Sequence, residues 1–119
     1  MQPMDGPLSE AELAQLESSL LPALERHHLR LLAHGLRTLQ SIAGRREGAP
    51  PRLEAIEAWA LEQPAIAGDA AFAQALAGQL VAAGDQLMAI GEEHQCSALA
   101  LELHHLISWA KARADARLA

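Results

Sequence analysis

Three stretches of this chain place leucine, alanine or another apolar residue at every third or fourth position, and that spacing constrains the fold more than any other feature. Leu29, Leu32, Leu36, Leu39 and Ala43 make one stripe, and Phe72, Leu76, Leu80, Ala83, Leu87 and Ile90 a second. Leu99, Leu103, Leu106, Ala110 and Ala114, with Ile107 beside them, make the third. A period near 3.6 residues puts each set on one face of a helix, and such a face needs another to cover it. The expected fold is therefore all-α, a single small bundle of four to five helices. The apolar content supports this, being mostly Leu and Ala, with few β-branched residues to build a sheet.

Punctuation along the chain divides the helices. Residues 1–8 contain Pro and Gly and are expected to form a loose lead, with 9–119 as one domain. Ser9 followed by Glu12 is a capping-box pattern and opens a first helix over about 10–20. Pro22 either kinks that helix or begins the next, which runs to Ala43 and stops at Gly44. The stretch from Gly44 to Pro51 reads as a loop, and a short helix over about Arg52–Gln63 ends before Pro64. Asp69 caps a fourth helix expected to stop at Gly91, and Ser97 is the expected cap of a last one through Leu118.

Composition narrows the function classes. The chain has 119 residues and a formal charge of -6, with its nine basic residues scattered, which disfavours a phosphate-binding face and so a nucleic-acid partner. One cysteine, Cys96, forms no internal disulfide. The N-terminal residues show no basic segment followed by an apolar one, so a secretory signal is not expected. The most apolar stretch, Ala65 to Ile90, carries too many polar residues for a bilayer. The default expectation is a cytoplasmic protein with no membrane partner.

Two histidine patterns carry sharper chemistry. Ala23-Leu24-Glu25-Arg26-His27-His28-Leu29 is echoed by Ala100-Leu101-Glu102-Leu103-His104-His105-Leu106. Each holds Glu-x-x-His, and residues three apart on a helix share a face, so a carboxylate and an imidazole can converge on one metal. Glu25, His28, Glu102 and His105, on facing helices, are similar to half of a ferritin-like di-iron ligand set; that resemblance implies iron or another divalent metal. On the helical wheel Glu25 and His28 fall in the same arc as Leu24, Leu32, Leu36 and Leu39, whereas His105 lies outside its helix's apolar arc. The expected fourth helix offers no Glu. The plain alternative is that Glu25 and His28 hydrogen-bond one another or a neighbour, and that two Ala/Leu-rich helices look alike by accident. His94 and Cys96 make a weaker two-ligand pattern.

The second pattern is Ala33-His34-Gly35-Leu36-Arg37, closing with Gly44. It resembles the phosphoacceptor segment of histidine phosphotransfer (Hpt) domains, which are helical bundles of this size. The resemblance implies a phosphorylated His34, with Arg37 where the family has Lys. It covers about a dozen residues and departs at Thr38, where a small glycine is usual. The plain alternative is a surface histidine with a basic neighbour.

No complete catalytic constellation is present, so the leading expectation is a non-enzymatic interaction or assembly module without a cofactor. Its partner would be another protein or a second copy of itself. The expected contact surface is the third helix and the loop before it, with Trp59, Arg45 and Arg46.

Overall fold

The computed structural model describes residues 8–118, with side chains through 116. Among these residues there is no strand, and five α-helices form the bundle: α1 (Glu10–Glu17), α2 (Ala23–Ala43), α3 (Leu53–Glu62), α4 (Ala70–His94) and α5 (Leu103–Leu118). A 3-10 turn, Ala98–Ala100, lies between α4 and α5. Most of the expected loose lead, residues 1–7, lies outside the described residues. Leu8 does not belong with it: its side chain is buried in the core.

Local chemistry explains most of the boundaries. Ser9 and Glu12 form the capping box at the start of α1, each side chain paired with the other's backbone N–H at 3.1 Å. This helix is shorter than the sequence pattern implied. It ends at Glu17, and Leu20 takes a left-handed φ of 62° that turns the chain into α2. Pro22 therefore precedes a new helix rather than kinking an old one. At the far end of α2, Gly44 is left-handed. The Gly44 and Arg45 N–H groups donate to Ser41 and Gln40 carbonyls in a Schellman arrangement. Asp69 caps α4 by accepting the Phe72 N–H at 3.0 Å.

Two expectations near the last turn of α4 were wrong. The helix does not stop at Gly91 but runs on to His94 and ends with Gln95 in a left-handed conformation. Gly91 is needed for space: a Cβ there would lie 2.5 Å from the Cys96 carbonyl oxygen, where the returning chain crosses the helix. Nor does Ser97 cap the last helix. Its hydroxyl accepts the Gly48 N–H at 2.8 Å, while Leu99 N–H donates to Gly48 O at 3.1 Å. These bonds tie the two long connectors together and push the start of α5 out to Leu103.

The leucine stripes do form the interior. Leu29, Leu36, Leu39, Leu87, Ile90, Leu99 and Leu106 are fully buried, as is Ile56 from α3. Each such side chain contributes roughly 1.5–3 kcal/mol by leaving water. On α4 the buried face is shifted from the expected stripe: Ala73, Ala77 and Gly84 are buried, while Phe72 is half exposed. Small residues there admit close neighbours, since Gly84 faces Pro50 and Leu39 and Gly35 of α2 faces Ala83. Ala60, Ile66 and Ala73 form a smaller cluster, bridged to the main one by Trp59 and Leu76.

Two glycines separate crowding from propensity. Gly91→Ala is expected to cost about 1–3 kcal/mol, because the intruding methyl meets backbone rather than a movable side chain. Gly78 has open space around it, and Gly78→Ala is expected to gain about 0.5–1 kcal/mol. Urea unfolding of both variants checks the pair.

Candidate functional site

One face of α2 is covered only in part by the core. Glu25, His28, Leu31, Leu32, Gly35 and Thr38 recur at three- and four-residue steps and form one wall of a half-open groove of about 770 Å³. Leu76, Gln79, Leu80, Ala83 and Gln86 of α4 form the facing wall. Trp109, Ala110 and Arg113 of α5 and Trp59 of α3 complete it. Both tryptophans of the chain thus line a single groove. Its size falls within the roughly 300–1,000 Å³ usual for binding clefts. Leu31 on its wall is 56% exposed, an apolar side chain more than half open to solvent.

The polar groups of the groove are few. His34 is half buried; burial first, and the positive charge of Arg30 second, hold its imidazole below the usual histidine value. At neutral pH it is a neutral donor and acceptor in the wall. Arg113 lies over the Trp109 ring, 4.9 Å from its centroid.

The sequence-derived sites fare differently. Arg37 does not attend His34. Its guanidinium is held by Glu12 at 2.8 and 3.1 Å and by Gln40 at 2.8 Å. Burial pushes the Glu12 carboxyl up, but the Ser9 N–H, Arg37 and the charge of Arg46 outweigh it and hold it below its ordinary value. Arg37 is therefore a structural cation that joins α1 to α2, and a phosphoryl group on His34 would find it already engaged.

The two Glu-x-x-His pairs lie at different places. Glu25 and His28 share the groove wall with Leu32, Glu25 half buried and His28 exposed, so neither is buried in the core. Leu24, expected in the same arc, is itself 50% exposed. Glu102 and His105 stand where α5 begins, with Glu102 exposed. There the His105 Nδ1 accepts the Glu102 N–H at 3.0 Å, so this imidazole caps the helix. The His105 ring lies 4.1 Å from that of His104 and 4.9 Å from that of His94, centroid to centroid. Burial, then His104 and His94, push His105 down, against an opposing Glu102. Among the described residues, no group of three or more His, Cys, Asp or Glu gathers where it could hold a metal ion.

Of the expected contact residues, Trp59 is partly buried and turned to the groove, packed against both apolar clusters. Arg45 closes its own loop, donating to the Glu47 and Ala49 carbonyls. Arg46 is exposed. Sequence reasoning missed Leu31, Trp109 and Arg113 as groove residues. The usable signal was the second stripe on α2, from Glu25 to Thr38, beside the leucine stripe.

The all-helical bundle thus opens at its surface into a largely apolar groove lined by both tryptophans. Residues 8–117 match the family model described as NDH complex assembly factor CRR9, and the chain belongs to that family. The match supports a non-enzymatic assembly role exercised through protein partners. No curated protein and no solved structure matches the chain. Among the described residues, no helix is long and apolar enough to cross a membrane.

The depressed value of His34 has a definite sign. The unfolded chain takes up a proton that the folded wall resists. The stability His34 contributes is thus complete above the ordinary histidine value and is lost as pH falls through the folded one. His34→Gln is expected to flatten part of the decline in melting temperature between about pH 7 and 5. The His34 ring signal in NMR should titrate below the usual histidine value; a midpoint at or above it refutes the burial argument.

Proposed function

We propose that this chain is an assembly factor for the NDH complex, and that it works by holding a protein component of that complex in the groove between α2, α4 and α5. The family match, which spans nearly the whole described chain, carries this reading. The groove supplies a place for it: Leu31, Trp59 and Trp109 offer apolar and aromatic surface of the kind that dominates protein contacts. No chemistry is required of the site. A factor of this kind shields apolar surface on an unassembled component until its permanent neighbour arrives.

Removing the chain from cells is expected to lower the amount of intact NDH complex several-fold, read by native electrophoresis. Leu31→Glu and Ala82→Glu alter exposed positions on the groove wall and leave the core alone. Each is expected to weaken partner binding by about 2 kcal/mol, roughly 30-fold, and so to fail in restoring the complex. Circular dichroism shows whether each variant is folded. Normal complex levels with a folded Leu31→Glu protein would remove the groove from the proposal, and normal levels without the chain would remove the proposal itself.

A further inference from the structure

We propose that the occupant of the groove is an amphipathic helix of a partner protein, carrying a carboxylate that pairs with Arg113. This rests on the groove being the docking surface. The helix follows from backbone accounting. The groove is walled by helices, whose backbone groups are already bonded, and the described residues contain no strand whose edge could pair with an incoming chain. Its polar groups are a few side chains, among them His34, Thr38, Gln79 and Gln86. An extended segment laid there would bury N–H and C=O groups without partners, whereas a helix brings its own.

The carboxylate follows from charge. The protein has a net charge of -6, yet several of its arginines are already engaged. Arg26 and Arg30 pair with Glu17, and Arg37 pairs with Glu12. Arg45 is bonded to its own loop. Arg113 forms no ion pair among the described residues and stands at the groove, its guanidinium over Trp109. Stacking occupies the face of a guanidinium and leaves the in-plane N–H donors for a planar acceptor, which a carboxylate matches with two parallel bonds.

The test uses the full chain and synthetic helical peptides with leucine at every third and fourth position. Their flanking residue is Glu, Gln or Lys, and a fourth peptide has a central Pro. Binding is read from tryptophan emission and from anisotropy of labelled peptide. The Glu peptide is expected to bind about 3-fold tighter than the Gln peptide, tighter still than the Lys peptide, with the difference shrinking in salt. Arg113→Glu should reverse the order, Arg113→Gln should abolish it, and the Pro peptide should not bind. Peptides that bind regardless of charge or helicity, or fail to bind, overturn the inference. So does a concentration-dependent dimer of the chain that Leu31→Glu dissolves, since the occupant is then a second copy. In cells, a damaging Leu31→Glu beside a harmless Arg113→Glu overturns the acidic helix and keeps the groove. A harmless Leu31→Glu overturns the docking surface itself.

Discussion

A run of polar contacts through the side of the bundle fixes how α2 is rotated, and the groove depends on that rotation. Glu12 of α1 holds Arg37, Arg37 donates to the Gln40 side chain, and the buried Gln40 amide donates to the Leu99 carbonyl at 2.8 Å. The Gln40 to Leu99 bond is buried, and without it the group left unsatisfied would cost about 1–3 kcal/mol. The consequence is geometric as much as energetic. Arg37 and Gln40 sit one turn apart, so pinning them to α1 and to the connector sets which side of α2 meets the core. Leu29, Leu36 and Leu39 then turn inward, and the stripe from Glu25 to Thr38 is left facing the open space beside α4.

Small residues decide where that space closes. Gly35 lies against Ala83 so closely that a Cβ on Gly35 would be 3.1 Å from the Ala83 Cβ. Helix axes come together where small meets small, and stand apart where large side chains intervene. Leu31, Leu32, Leu76, Leu80 and the two tryptophans stand around that contact and keep the walls separated. The same alanine and glycine content that makes α4 a poor match to a leucine stripe therefore gives the bundle one tight crossing with an opening beside it.

The fold was legible in the sequence wherever the information was periodic. The stripes on α2 and α5, the capping box at Ser9 and Glu12, and the stop at Gly44 each depend on residues within a few positions of one another. What failed depended on distant contacts. Gly91 has the residue type of a helix stop, but its role comes from the chain that returns over it at Cys96. Arg37 looked like the companion of His34 because the two are three residues apart, yet its partner is Glu12, 25 positions away. Phe72 was placed on the apolar stripe by its spacing, but α4 buries Ala73 and Ala77 instead and leaves Phe72 half exposed. The groove was hidden for the same reason: Trp59 and Trp109 belong to different helices, and no local pattern brings them together.

The arrangement of the groove bears on how an assembly factor releases what it holds. A permanent interface is large, apolar and closed, whereas this one is half open and bordered by exposed polar side chains such as Gln79, Gln86 and His28. On the proposed reading, most of the affinity comes from a few apolar anchors, with one exposed charge giving direction. An exposed ion pair contributes little binding energy but favours correct encounter and penalises the reversed orientation. Such a contact forms quickly and dissociates readily. On that reading a neighbour offering the same helix a larger and drier surface would displace it without any chemical step, and the final complex would set the direction of assembly.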